Sequence, residues 1–260
     1  MMEPETFDEP GQEETVKAKN FFSRLSGVFF SPREAFTEIG SASRLAIPII
    51  ALFLVSALSG WYVAQKIDTR AASRAALDEY VRQGRITEEQ ANQQAAMAAV
   101  ALGPAAAVVG GIGTLLLCLA IAGYGKLFSV MTGRENSYKS LFEVTVYGML
   151  AVGIVSAVLM IIILQIKGQG RIAASDINAV VASNLGAWID SAFGADVLPK
   201  FVMRLAAAVN IFNIWIIALL SIGFSAVSKK MKTSTPAIWL GGAYVIISVI
   251  SAAITSVFSA

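Results

Sequence analysis

Five stretches of the chain are nearly free of polar positions, and the segments between them are short. The most continuous is Val144 to Ile166, 23 residues without a charge, in which Val158, Leu159, Met160, Ile161, Ile162, Ile163 and Leu164 follow one another unbroken. As a helix rising about 1.5 Å per residue it reaches about 34 Å, enough to cross a hydrocarbon core of about 30 Å. Arg134, Lys139 and Glu143 precede it and Lys167 and Arg171 follow it, as expected where charge returns to headgroups and water. In lipid such a segment satisfies its peptide groups only as a helix. Similar runs occupy Leu45 to Gln65, Pro104 to Gly125, Leu205 to Ser228 and Ala237 to Phe258. The pattern predicts an all-α, polytopic integral membrane protein, a bundle of five transmembrane helices.

The remaining segments carry helical patterns of their own. Residues 1–20 are polar and rich in carboxylates, and are expected to form a disordered cytosolic arm. Phe21, Phe22, Leu25, Val28 and Phe29 then recur at helical spacing, predicting a short interfacial helix. Ser31 with Glu34 has capping-box spacing and Pro32 takes the first helical position, so a second helix is expected from there to about Ile39. Residues 21–44 thus read as a cytosolic helical elbow ahead of a membrane domain at 45–260. Thr87 and Gln90 form a second capping box. The loop from Lys66 to about Gly103 is expected to be two polar helices, with Gly103 and Pro104 breaking or restarting the chain. Ile177, Val180, Val181, Leu185, Trp188, Ile189 and Phe193 predict an amphipathic helix on the bilayer surface.

Composition supports the membrane reading, with 56% hydrophobic and 15% charged residues against roughly 45 to 50% and 25% in soluble domains. A net charge of +2 and no basic stripe leave no case for nucleic acid as a partner. Histidine is absent and Cys118 is the only cysteine, which excludes Cys/His zinc sites, Ser/His/Asp triads and intramolecular disulfides. No catalytic, cofactor-binding or metal site is expected, and no cofactor. The acidic start lacks a basic, then apolar, signal pattern, so the first span is expected to direct insertion. Basic residues number 11 in polar segments one, three and five against 9 spread over the two longer loops. Their density predicts an N-terminus inside and a C-terminus outside.

Three groups of residues could carry function. Phe21, Phe22, Arg24, Leu25, Val28, Phe29, Phe30, Ser31, Pro32 and Phe36 either steer the chain into the bilayer or dock a membrane or cytosolic protein partner. Asn210 and Asn213, three apart, either glue helices together or line a polar path with Ser221 and Ser225, the latter implying a small transporter or channel. Gly110, Gly111, Gly113, Gly148 and Gly153 allow close helix approach, within one subunit or at a homo-oligomer seam. Glu143 and Arg204, at opposite span ends, read as headgroup-level anchors.

Three stretches, Arg24 to Ile39, Ile86 to Gln94 (ITEEQANQQ) and Asn210 to Ser228, resemble the prokaryotic branch of the Yip family, the Ypt/Rab-interacting-protein domain. The resemblance extends from about Leu25 to the end. It implies an all-helical integral membrane domain with a cytosolic N-terminus and no known enzymatic activity, here in a bacterial cytoplasmic membrane. Eukaryotic relatives are associated with prenylated Rab GTPases and vesicle traffic; their Asp-Leu-Tyr-Gly-Pro motif does not occur in this sequence. The role expected from all this is a non-enzymatic scaffold that organises partner proteins or lipid.

Overall fold

The computed structural model describes residues 20–41, 44–134, 136–167, 183–194, 197–228 and 231–258. Residues 1–19 of the acidic arm, Arg171, Ile177, Val180, Val181, Lys229 and Lys230 lie outside the described residues. Among the described residues the regular structure is helical: α1 (Phe21–Phe30), α2 (Pro32–Ser41), α3 (Ala46–Lys66), α4 (Thr69–Arg82), α5 (Glu88–Met131), α6 (Tyr138–Lys167), α7 (Leu185–Phe193), α8 (Lys200–Ala208), α9 (Ile211–Ala226) and α10 (Ser234–Phe258).

Among the described residues four helices are long and apolar enough to cross a membrane, namely α3, α5, α6 and α10. Their apolar side chains point mostly outward: Ile47, Leu58, Val109, Leu116, Val158, Ile162, Val245 and Ile247 are all exposed. So wide an apolar surface is untenable in water and natural in lipid. α9 is shorter. Its 16 residues reach about 24 Å, and the apolar run expected to be one helix from Leu205 to Ser228 is divided between α8 and α9.

The division has a local cause. Asn210 caps α9, its side-chain oxygen accepting from Phe212 N at 2.8 Å, in the role asparagine performs best. Backbone groups freed at the break are taken up across an antiparallel bridge between Asn184 and Asn210. Leu185 N donates to the Val209 carbonyl at 2.9 Å, and Ile211 N to the Ser183 carbonyl at 3.2 Å. α7 and α8 pack together, so closely that a Cβ on Gly186 would lie 2.9 Å from Ala207 N.

The second expected span is corrected in the opposite sense. Gly103 and Pro104 neither break nor restart the helix, because α5 runs unbroken for 44 residues through Pro104. Proline removes the donor to the Val100 carbonyl, but Val100 and Pro104 are both exposed, and the polar part of α5 is held from outside. Thr87 and Gln90 complete the capping box, and Arg74 of α4 reaches Asn92 at 3.1 Å and Glu88 at 3.8 Å. In the last turns of α4, hydrogen bonds from Gln83 and then Arg82 hold the Glu79 carboxyl below its usual range.

α3 and α5 approach at small residues. A Cβ on Gly60 would come within 2.6 Å of the Ala106 carbonyl oxygen, and one on Gly110 within 2.9 Å of that of Ser56. Main-chain carbonyls cannot swing aside as a side chain can, so the glycines set this crossing. On the elbow side, Val28, Ala35, Phe36 and Ile39 join Leu141, Val144, Tyr147, Leu219, Leu220 and Phe224 in the main core cluster. The elbow is therefore built into the bundle rather than laid beside it.

Candidate functional site

Asn20 starts α1 by accepting from Ser23 N at 2.8 Å, and Pro32 starts α2 after a single intervening residue, Ser31. The two helices close tightly because Gly27 faces Ala35; a Cβ there would stand 3.0 Å from that of Ala35. Folding back this way sends one face of the pair inward. Val28, Phe36 and Ile39 are all 0% exposed, and Phe36 fits where Gly223 leaves room, with a Cβ on that glycine 3.1 Å from the ring.

A cluster of charges lies in the same seam. Arg24 is 2% exposed and Glu143 is 1% exposed, while the Arg24 Nε lies 3.5 Å from Oε1 of the one-quarter exposed Glu38. Arg24 also hydrogen-bonds Tyr147, which feels the charges of both glutamates. One cation and two carboxylates from α1, α2 and α6 thus surround a phenol one turn along α6 from Glu143. The expectation that Glu143 is a headgroup-level anchor is corrected: the elbow covers that end of α6 and encloses its carboxylate.

The elbow residues divide by face. Arg24, Val28 and Phe36 are buried, and Phe21, Leu25, Phe29 and Pro32 are partly buried. With the elbow seated they hold it in place and offer little to a partner. Phe22 at 75% and Phe30 at 87% exposure point outward, with Ser31 exposed beside them. A cleft of about 180 Å³ lies between α1 and α2, lined by Ser23, Ser26, Phe30, Glu34 and Glu38 among others.

The other candidates are placed as follows. Asn210 is the cap of α9, and its amide also donates to Ser183 Oγ at 3.0 Å. Asn213 donates to the Tyr244 hydroxyl at 2.7 Å, which in turn donates to the Ala208 carbonyl at 2.6 Å. The two asparagines are not joined to Ser221 and Ser225, whose hydroxyls bond the Ile217 and Met231 carbonyls. Among the glycines, a Cβ on Gly111 would strike the Phe53 ring at 2.5 Å and one on Gly148 would meet Leu220 at 3.0 Å; Gly153 sits at an ordinary 4.0 Å from Val55, and Gly113 faces open space. Arg204 is half-buried on α8 and donates to Ser256 Oγ at 3.3 Å.

A further knot had no advance signal beyond an asparagine in a short polar turn. The buried Asn136 side-chain amide donates to Ser129 Oγ at 2.8 Å and Ser228 Oγ at 2.5 Å, and the residue's main-chain carbonyl accepts from Lys126 Nζ at 2.8 Å. It ties the C-terminal ends of α5 and α9 to the start of α6. Among the described residues no group of three or more His, Cys, Asp or Glu side chains is placed to hold a metal ion.

A chain whose described residues form helices, four of them long, apolar and outward-facing, is a multi-pass integral membrane protein. The model of the Yip1 domain matches residues 26–255, nearly the whole described structure, and the chain belongs to that family. No curated protein and no solved structure matches it.

Proposed function

We propose that the protein is a non-enzymatic scaffold of the membrane, organising partner proteins or lipid through the outward face of its N-terminal elbow. The observation that carries this is the elbow's construction: its inward face is fixed by buried apolar residues and a charge cluster, while Phe22 and Phe30 are presented to the outside. Two aromatic rings left exposed on a rigid mount suit them as anchors for another surface. In this reading α9 with α8 completes a fifth crossing, the N-terminus is inside a bacterial cytoplasmic membrane and the C-terminus outside. Tags at Met1 and Ala260 that report the same compartment would overturn that topology.

Photocrosslinkers at Phe22 and Phe30 in intact membranes are expected to capture one reproducible protein or lipid species, and a crosslinker at Phe36 none. Equal capture of bulk lipid at all three positions would overturn the scaffold role. A small transporter is the second reading, favoured by the helix break at Val209–Asn210, since interrupted helices mark many transport sites. Replacing Asn210 and Asn213 by leucine would then abolish solute flux into proteoliposomes. Unchanged flux, or none from the parent protein, would remove it.

A further inference from the structure

At the end of the bundle remote from the elbow, α3, α4, α5 and α6 leave an apolar groove of about 490 Å³. Its walls are mostly small or aliphatic, with Gly60, Val63, Ala64, Ala106 and Met160 among them, and Thr69 at the start of α4 is one of the few polar residues. The other wall hydroxyl, Ser59, is turned onto its own helix, donating to the Val55 carbonyl at 2.6 Å. Water has no partners in such a space. From Ser59 to Ile67 the groove runs along α3 for about 12 Å, and a packed helix about 10 Å across would need roughly twice the volume found over that length. α4, which turns away after Ile67 and packs on α5, also closes the end against a passing helix. A narrower apolar object, the acyl chain of a lipid, has the right cross-section, and the bilayer supplies it.

Two cations stand next to lining residues along the chain. Lys66 closes α3, its ammonium 5.6 Å from the centre of the Tyr62 ring, and Arg70 lies in the first turn of α4, on either side of the lining residues Ile67 and Thr69. The carboxylate between them, Asp68, is engaged as the cap of α4, accepting from Ala71 N at 3.0 Å. Arg74, a turn further along, is paired with Asp78 and Glu88. We propose that this groove is a binding site for one anionic phospholipid, its acyl chain between α3 and α5 and its phosphate at Lys66, Arg70 and the Thr69 hydroxyl. Each cation near a lipid surface favours an anionic headgroup by about fivefold, so a preference of several-fold to about twentyfold over a zwitterionic lipid is expected.

Trp61 reports on the site, since it follows the lining residue Gly60 on α3 and its indole lies 3.5 Å from where a Cβ of Gly103, next to the lining residue Leu102, would stand. The full chain with Trp188, Trp215 and Trp239 replaced by phenylalanine is reconstituted in phosphatidylcholine vesicles. Each vesicle set contains a tenth of brominated phosphatidylglycerol or of brominated phosphatidylcholine. Stronger quenching by the anionic lipid is expected, and its loss in the Lys66→Gln/Arg70→Gln variant. Equal quenching by the two lipids, or an excess that survives the double substitution, would overturn the proposal. Native mass spectrometry of the unmodified protein gives an independent readout, with one retained phosphatidylglycerol expected and none in the double variant. The elbow takes no part in either measurement, so the result is separate from that of the scaffold test.

Discussion

Replacing Arg24 by alanine should unseat the elbow. The side chains of Val28, Phe36 and Ile39 are fully buried in the seam, and at about 1.5 to 3 kcal/mol each they contribute about 5 to 9 kcal/mol to keeping the elbow out of water. The substitution takes the guanidinium from Glu38, 3.5 Å away, in a seam that also encloses the Glu143 carboxylate. Breaking a buried pair from one side costs about 3 to 5 kcal/mol, a large share of the seating energy, and corresponds to roughly a hundred- to several-thousand-fold rise in transient opening. The assay uses Val28→Cys in a Cys118→Ser background, since Val28 is hidden when the elbow is seated, and follows its labelling by a maleimide in detergent-free nanodiscs. Arg24→Ala should raise the labelling rate by two orders of magnitude or more. Glu143→Gln alone should change it little, because Arg24 retains Glu38 at 3.5 Å. The double variant Arg24→Ala/Glu143→Gln should label more slowly than Arg24→Ala, since one carboxylate fewer is then left in the seam without the guanidinium. A rate for Arg24→Ala within threefold of the parent, or a double variant faster than the single one, would refute the reasoning.

Tyr244→Phe removes the donor to the Ala208 carbonyl and the acceptor for Asn213; a loss of about 1 to 3 kcal/mol is expected, read as a lower midpoint in thermal unfolding followed by circular dichroism. Gly60→Ala should destabilise by about 1 to 3 kcal/mol, since its Cβ would press on the Ala106 carbonyl, whereas Gly113→Ala, facing open space, should be neutral or stabilise; equal effects in the same thermal assay would contradict the assigned α3–α5 crossing. The Glu79 carboxyl, held low by Gln83 and Arg82, should strengthen the end of α4 at neutral pH, where it is ionised. That contribution is lost as pH falls through its lowered folded-state pKa, so amide protection at residues 80–84, taken relative to intrinsic exchange at each pH, should fall there in the parent and stay flat in Glu79→Gln.

Hydropathy made the membrane class legible because a lipid-facing helix must be apolar all round, and α3, α6 and α10 lie close to where the apolar runs begin and end. The elbow's boundaries were legible for a different reason, since Pro32 and the residues around it encode a helix start locally. Its seating was not. A periodic row of phenylalanines looks the same whether it meets lipid or protein, and the partners that decide the matter, Arg24 and Glu143, are far apart in the chain and come from separate helices. The break before Asn210 shows a signal read in the wrong frame: an asparagine within an apolar run drew attention as a polar group at membrane depth, although a helix cap satisfies the same amide locally. Pro104 shows the reverse, a strong local breaker overridden because α4 and the capping box hold the polar turns ahead of it.

The α3–α5 seam carries this difference between local and long-range information into the protein's interaction surfaces. Ser56 and Gly60 on one helix, and Ala106 and Gly110 on the other, each stand four apart, the spacing that brings small residues onto one helix face. That spacing is visible in the sequence, yet only the crossing shows that Gly60 meets Ala106 and Gly110 meets Ser56. Once these backbones touch, the helices must diverge beyond them toward Ile67 and Leu102, and small side chains there cannot refill the widening space. The groove thus opens directly beside the tight Gly60–Ala106 contact, both residues being among its walls. A larger residue at Ala64 should fill it without disturbing the glycine contacts, whereas one at Gly60 should disturb both. Comparing lipid retention and thermal stability for Ala64→Leu and Gly60→Leu separates the two effects: retention alone should fall in the first, and both in the second.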